Sequence, residues 1–195
     1  MKCLTGLSLL ATATILSVPA SAQNLAAGDN PEIANLFTAD QSVRKNIKPE
    51  QIKDRAFVTR MIDQDRMRRE RTQVLLQEGQ LQTANDFYRA AFIFQHGNTP
   101  DNYLLAHSLA LASATKGNKE AAWIAAATLD RYLQTIGQKQ IYGTQYLSSR
   151  ETGPTMEPYD RKLIPDSLRA ALGVPSQAKQ EERLTKMKAG TPLAK

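Results

Sequence analysis

Three segments in the middle of the chain, each bounded by a helix-capping residue and a glycine, constrain its fold more than any other feature of the sequence. We call them the punctuated segments. They run from 83 to 97, from 99 to 117 and from 118 to 137, and each opens on Thr or Asn and closes on Gly. Thr83 and Asp86 have the spacing of a capping box, and a glycine is the usual residue after a helix end. Because only a few residues separate the segments, we expect three helices packed as consecutive antiparallel hairpins.

The second and third of these helices are rich in alanine. Small side chains let helix axes approach closely, as in tetratricopeptide or Sel1-like repeats, although no 34-residue period is visible. Prolines then punctuate the chain after Gly137, with short helices expected near 166–172 and 176–189. We therefore predict an all-α fold of antiparallel helical hairpins with tetratricopeptide- or Sel1-like packing and a loop-rich C-terminal tail.

The first 22 residues have the pattern of a secretory signal peptide. Lys2 precedes an apolar run from 4 to 18, and Ala20-Ser21-Ala22 matches an A-x-A cleavage site. We expect an exported protein, periplasmic or secreted, that has no transmembrane span after cleavage; a retained N-terminal anchor is the alternative. The single cysteine, Cys3, lies inside this segment, so no disulfide or thiol chemistry is expected in the mature chain.

A chain of 195 residues is long enough for one domain with its own core. The composition and punctuation predict four parts. These are a signal peptide at 1–22, an N-terminal extension at 23–48, a helical core domain at 49–150, and a C-terminal wrap with a polar tail at 151–195.

Positive charge is concentrated in one segment. The net charge is +6, and residues 44–71 hold ten basic and five acidic side chains, whereas the rest of the predicted mature chain is balanced. Much of this segment falls in a long helix predicted from Pro49 to Glu78, polar or broken near its middle. Its one aromatic residue, Phe57, gives no platform for stacking bases, so we expect no nucleic-acid partner. An anionic envelope surface or another envelope protein is the predicted partner.

Three charged residues of this helix are candidate ligand-binding residues. At 100° per residue, Asp63 is predicted to lie on an apolar side, where a carboxylate needs a partner such as an arginine. Asp65 and Arg66 are spaced to pair with residues four positions later, an arrangement that fits a solvated helix face equally well. The apolar side is formed by Ile52, Ala56, Met67 and Val74.

The two histidines are candidate catalytic residues. His96 ends an aromatic-rich helix, where interaction with the helix dipole is the commoner role. His107 faces the alanine-rich side of the next helix, where a hydrogen-bonded core histidine is the commoner interpretation. Their spacing does not match the i,i+4 pair of a helical zinc site. We therefore predict no metal and no cofactor.

Asp130, Arg131 and the loop that follows them form the third group of candidates. An acid late in a helix is unfavourable for the helix dipole, which indicates a specific partner for Asp130. The loop from 137 to 146 contains three glutamines, two tyrosines, two glycines and a threonine, which suit either helix capping or a ligand site. The candidates here and at the end of the first helix are Gln95, Gln140, Tyr142, Thr144 and Gln145.

Together these elements resemble an uncharacterised family of bacterial proteins, a domain of unknown function with QH, DR and GTQ elements. The resemblance covers roughly residues 60 to 150 and rests mainly on Gln95-His96-Gly97, Asp130-Arg131 and Gly143-Thr144-Gln145. It carries no activity or ligand. It implies that a single constellation contains His96, Asp130, Arg131, Gln140 and Gln145.

Two functions follow as hypotheses. The first is an exported helical binding or scaffold module, favoured because no nucleophile elbow, phosphate loop or dinucleotide fingerprint occurs. The second is an envelope hydrolase-type enzyme with His96 or His107 as general base and Arg131 holding an anionic group. The enzyme requires a histidine within hydrogen-bond reach of Asp63, Asp65 or Asp130; the binding module predicts a groove lined by the 138–145 loop.

Overall fold

The computed structural model describes residues 28–190, and this part of the chain is all-α, as predicted. The predicted signal peptide lies outside the described residues. None of the helices between 28 and 190 is long and apolar enough to cross a membrane. The elements are α1 (Pro31–Lys45), α2 (Pro49–Lys53), α3 (Arg55–Gln77), α4 (Ala84–Phe94), α5 (Pro100–Thr115), α6 (Ala121–Thr135), the antiparallel strands β1 (Leu147–Ser149) and β2 (Gly153–Thr155), α7 (Asp166–Ala171) and α8 (Gln177–Lys188).

The three punctuated segments form α4, α5 and α6, and consecutive helices pack against each other. The Thr83 hydroxyl accepts a hydrogen bond from the Asp86 amide at 3.0 Å, which completes the capping box. Ser113, near the end of α5, donates to the carbonyl of Ala84, at the start of α4, so these two helices are antiparallel. Tetratricopeptide-like packing stays a prediction.

The apolar core lies between α4, α5 and α6 and is covered by α1. Alanines on all three helices are buried, which brings the backbones close together as their small size allows. Helix α1, which falls in the predicted N-terminal extension, inserts the fully buried Ile33 into this core. Larger core side chains come from α3, α4 and α6, chiefly Leu75, Ile93 and Ile124.

The long helix is divided near its start, not near its middle. The carboxylate of Asp54 accepts a hydrogen bond from the Ala56 amide at 2.9 Å, so Asp54 ends α2 and caps α3.

The predicted inward face of this helix is wrong. The Asp63 side chain is 57% exposed and Met67 is 61% exposed. The side that faces the body carries Asp65, Arg68 and Thr72 before its first buried apolar residue, Leu75. Charged residues can lie on an interior face when they are paired. The prediction assumed that the apolar side of the helix faces inward, and it therefore identified the wrong side.

Candidate functional site

Two networks of buried polar side chains contain most of the predicted site residues. The first surrounds Asp130, which α6 places at 0% exposure. Its carboxylate accepts hydrogen bonds from the backbone amides of Ile141 (2.8 Å), Tyr142 (3.0 Å) and Thr144 (2.9 Å), and from the Thr144 hydroxyl (2.8 Å). Each carboxylate oxygen therefore accepts two hydrogen bonds, and the partner that the helix position of Asp130 indicated is the loop itself.

Two glutamines complete this network, which we call the Asp130 cluster (Asp130, Gln140, Thr144 and Gln145). The fully buried Gln140 side chain accepts from the Gln145 amide at 3.0 Å and donates to the carbonyls of Gln145 and Met156. The Gln145 side chain donates to the Ala127 carbonyl at 3.2 Å and to the Thr144 hydroxyl at 2.9 Å. The hydrogen bonds of these two side chains hold the loop in its conformation and, through Ala127, against α6.

The C-terminal tail covers the other side of the loop. The carbonyl of Tyr142 accepts a hydrogen bond from the Gln180 side chain at 2.7 Å. Gly143 has φ +77°, and a Cβ there would collide with Gln180 and Tyr159, so a glycine is required on both counts. The buried Arg169 donates to the Tyr159 hydroxyl at 2.7 Å and holds the tail in place.

A small pocket of about 180 Å³ lies beside this loop. The loop contributes Gly143 and Thr144 to its wall, and the Thr144 hydroxyl already donates to Asp130. The volume is below the usual range for a small-molecule site. The polar side chains of Gln140, Thr144 and Gln145 are thus directed into the fold, whereas Tyr142 contributes only its backbone amide and carbonyl to these hydrogen bonds.

The second network lies where α1, α3 and the end of α4 meet. Arg44 of α1 bridges two buried carboxylates, with 2.8 Å from Nη1 to Asp40 and 2.8 Å from Nη2 to Asp65. Arg68 pairs with Asp65 at 2.5 Å, and its Nε lies 3.6 Å from Asp40. Two guanidinium groups and two carboxylates therefore balance each other at the centre of this network.

His96 joins this network immediately after α4. Its Nε2 lies 3.5 Å from an oxygen of Asp40, and its backbone carbonyl accepts a hydrogen bond from Arg69 at 2.8 Å. Burial, assisted by the surrounding guanidinium groups, lowers the pKa of His96 to about 3, so the imidazole is neutral near pH 7. Burial also raises the pKa of Asp40 to about 6, against the opposing effect of Arg44.

Arg131 of α6 adds a fourth guanidinium to the surroundings of His96. Its positive charge, like those of Arg44, Arg68 and Arg69, disfavours protonation of the imidazole. Burial lowers the pKa of Arg131 itself, with the neighbouring Tyr103 acting in the opposite direction. We refer to the whole network as the His96 cluster: Asp40, Arg44, Asp65, Arg68, Arg69, His96 and Arg131.

The His96 cluster contains buried nitrogen atoms without a hydrogen-bond partner among the described residues. These atoms are Nε of Arg68, Nε2 of His96 and Nε of Arg131, and Gln134 Nε2, one turn beyond Arg131, is in the same state. Guanidinium and amide nitrogens can only donate. Four guanidinium groups against two carboxylates, together with unpartnered donors, give the cluster the capacity to hold an added acceptor with negative charge.

The other predicted residues lie apart from both networks. His107 binds the Ala125 carbonyl through Nδ1 at 2.9 Å; since a carbonyl can only accept, Nδ1 carries the proton. Asp63 and Glu70 both pair with Arg66 on the exposed side of α3. Gln95 is buried as the C-terminal cap residue of α4.

The structure thus divides the constellation that the family resemblance implied. His96 and Arg131 belong to one network, and Asp130, Gln140 and Gln145 belong to the other. Sequence reasoning did not select Asp40, Arg44, Arg68 or Arg69 as site residues. The available signals were the i,i+4 spacings of Asp40 with Arg44, which do pair, and of Asp65 with Arg69, whereas Asp65 pairs with Arg44 and Arg68 instead. The described residues contain no group of three or more His, Cys, Asp or Glu side chains placed to hold a metal ion.

Comparison of the chain with protein-family models, curated proteins and solved structures finds no match.

Proposed function

We propose that this chain is an exported helical binding module that holds an anionic group at the His96 cluster. One observation carries the proposal: the cluster has an excess of buried positive charge, since four guanidinium groups face two carboxylates. Nε of Arg131 has no hydrogen-bond partner among the described residues, and the nitrogens of Arg68 and His96 reach Asp40 only at 3.6 and 3.5 Å, too far for a hydrogen bond. A buried donor without an acceptor is destabilising, and a ligand oxygen would relieve this.

An oxyanion such as a carboxylate or a phosphate fits this chemistry. Guanidinium groups present fixed pairs of N–H donors that match the oxygens of both groups. The neutral imidazole of His96 offers one donor without adding repulsion between cations. The side chains of His96 and Arg44 are 18% and 23% exposed, so the edge of the cluster is in contact with solvent.

Unfolding by urea at pH 7, with rising concentrations of inorganic phosphate or of succinate and with chloride at matched ionic strength, tests this proposal. The wild-type chain is expected to gain about 2.7 kcal/mol at an anion concentration one hundred times the Kd. Arg131→Gln removes one unpartnered donor and should abolish the gain.

The matched control is Arg150→Gln, which changes an exposed arginine outside the cluster. This variant should respond to phosphate or succinate as the wild type does. The proposal fails if neither anion stabilises the wild type more than chloride does, or if Arg131→Gln retains the full gain.

A hydrolase-type enzyme is the second candidate. The observation that favours it is the pairing of a neutral His96 with a carboxylate, although the partner is Asp40 and not one of the three predicted aspartates. Turnover of a chromogenic phosphate ester or carboxylic ester that is lost in His96→Gln and reduced in Asp40→Asn, with anion binding retained, would favour the enzyme over the binding module.

Export rests on the signal-peptide pattern, and membership of an uncharacterised bacterial family rests on the QH, DR and GTQ elements; both stay predictions. Mass spectrometry of the chain isolated from the exported fraction tests the first, with Gln23 as the expected N-terminal residue.

A further inference from the structure

We propose that residues 46–64 form an arm that binds the surface of an anionic lipid bilayer. The arm consists of the loop after α1, helix α2 and the first three turns of α3. This interaction surface is separate from the His96 cluster and does not depend on the proposed anion site.

The arm extends beyond the packed body of the protein. Glu32 pairs with Arg71 and Arg44 pairs with Asp65, so α1 runs antiparallel to α3 and ends beside residue 65. The first ten residues of α3 therefore continue past the end of α1. Every side chain whose exposure is described between 46 and 64 is exposed or half-buried, and neither apolar core cluster includes a residue of this range.

The α3 part of the arm is amphipathic. At 100° per residue, four apolar side chains fall within an arc of roughly 140°. Arg55 and Arg60 lie on either side of that arc. The apolar side is only partly covered: Ile62 is 55% exposed, and Ile52 of α2 is 59% exposed. The four apolar residues are Phe57, Val58, Met61 and Ile62.

The charges of the arm are unbalanced and available. Five basic residues in and next to the arm are exposed and form no ion pair with any side chain of residues 28–190, namely Lys45, Lys48, Lys53, Arg55 and Arg60. In contrast, three arginines farther along α3, namely Arg66, Arg68 and Arg71, pair with aspartates or glutamates, and Arg69 donates to the His96 carbonyl. The acidic residues offset part of this charge: Glu50 is exposed, Asp54 caps α3 and Asp63 pairs with Arg66. Residues 45–64 hold five basic and three acidic side chains, so their net charge is +2.

Shape favours a lipid surface over an acidic protein. A partner helix is normally held in a groove with two walls. The groove between α1 and α3 reaches the arm only at Gln64, whereas α2 and the residues of α3 before it lie beyond the end of α1. Apolar side chains flanked by Lys and Arg are the pattern of a helix that lies in a membrane interface, with its apolar side toward the acyl chains and its cations at the headgroups.

Cosedimentation with vesicles tests the proposal, using the chain isolated from the exported fraction after its N-terminus has been read. The vesicles are phosphatidylglycerol with phosphatidylcholine, or phosphatidylcholine alone. We expect binding to the anionic vesicles that is at least tenfold stronger than to the neutral ones and that is lost at high salt.

Two triple variants with the same change of charge locate the interaction. The arm variant combines Lys48→Glu, Lys53→Glu and Arg60→Glu, and the control combines Lys119→Glu, Lys139→Glu and Lys162→Glu; all six positions are exposed. The arm variant should lose at least tenfold in vesicle binding and the control less than threefold. A further variant, Ile52→Ser with Ile62→Ser, should weaken binding without altering net charge.

Three outcomes would overturn the proposal. They are a wild-type chain that does not bind anionic vesicles, equal losses in the arm and control variants, and an arm that captures an acidic protein while remaining indifferent to lipid. Circular dichroism of each variant confirms that a loss is not due to unfolding, since all substituted side chains are exposed.

Discussion

Asp130 and Asp40 are two buried aspartates that are both essentially inaccessible to solvent, yet their surroundings differ. Asp130 accepts four hydrogen bonds, three of them from the backbone of a loop that follows closely in sequence. Asp40 meets Gln41 and Arg44 of its own helix, and Arg68 and His96 from elements far along the chain. The Asp130 carboxylate therefore holds the backbone of the loop, whereas the Asp40 carboxylate belongs to a network of charged side chains.

The two clusters also differ in how completely their polar groups are satisfied. In the Asp130 cluster the described donors and acceptors satisfy one another, as a supporting network requires. In the His96 cluster, positive charge exceeds negative charge, and three buried nitrogens have no hydrogen-bond partner among residues 28–190. This difference supports the proposal that the His96 cluster binds an anion, whereas the Asp130 cluster supports the fold.

The largest expected effect is the loss of stability in Asp130→Ala. Removing this carboxylate leaves the amides of Ile141, Tyr142 and Thr144 without their acceptor, and we expect a loss of about 3–5 kcal/mol in the free energy of unfolding. Urea denaturation measures it. The control Asp63→Ala, at an exposed carboxylate, should change stability by no more than about 0.5 kcal/mol. Equal losses of stability in the two variants would contradict a structural role for Asp130.

Gly143→Ala should be the next most damaging change. The substitution forces a side chain into a left-handed conformation and against Gln180 and Tyr159, for a combined loss of about 2–4 kcal/mol. Gly153→Ala is the matched comparison, because Gly153 also has positive φ but no atom lies within 4 Å of its added Cβ. Gly143→Ala should therefore be the more destabilising by about 1–3 kcal/mol in thermal or urea unfolding.

The pH dependence of stability probes the His96 cluster. The folded pKa of His96, about 3, lies below its unfolded value of about 6.5, so the unfolded chain binds the proton first as pH falls. Stability due to His96 is therefore lost between about pH 6.5 and pH 3. From pH 7 to pH 5 the wild type should lose about 2 kcal/mol more than His96→Gln does.

Asp40 acts in the opposite direction, because its folded pKa lies above the unfolded value, and its protonation stabilises the fold as pH falls through about 6. Both proteins in the comparison keep Asp40, so its contribution largely cancels. The same pH dependence in wild type and His96→Gln would contradict the assignment of a buried neutral imidazole.

The smallest expected effect is that of Arg131→Gln in anion-free buffer. Removing one cation from an excess of positive charge relieves repulsion while losing some packing, so we expect a change below about 1 kcal/mol in the free energy of unfolding. Urea denaturation of Arg131→Gln and Asp130→Ala side by side compares two neighbouring residues of one helix. A loss of several kcal/mol at Arg131 would indicate that the His96 cluster is structural as well.

Local signals predicted the part of the fold that local interactions build. Thr83, Thr99 and the glycines that follow each helix act within a few residues, so the bounds of α4 and α5 and the end of α6 could be read from the sequence. The start of α6 differs: the helix begins at Ala121, two residues later than a cap at Asn118 predicts. The need of Asp130 for a partner was also visible, because an acid late in a helix is unfavourable and the loop that satisfies it is close in sequence.

Long-range charge pairing explains what the sequence analysis missed. Asp65 and Arg68 face inward only because Asp40 and Arg44, more than twenty residues earlier, neutralise them. The positions of apolar residues along one helix carry no information about such pairs. For this reason the sequence analysis predicted the wrong inward face for α3. His96 was identified from its residue type alone, whereas its partner Asp40 lies 56 residues earlier, on a different helix.

The most direct test of the central claim is an NMR titration of the ¹⁵N-labelled chain with inorganic phosphate at pH 7 and constant ionic strength. We predict saturable shifts of the Arg131 Nε–Hε and His96 ring signals, with the amides of Ile141, Tyr142 and Thr144 unmoved. Shifts confined to those loop amides, or no saturable shift at Arg131 and His96, would contradict the assignment of binding to the His96 cluster.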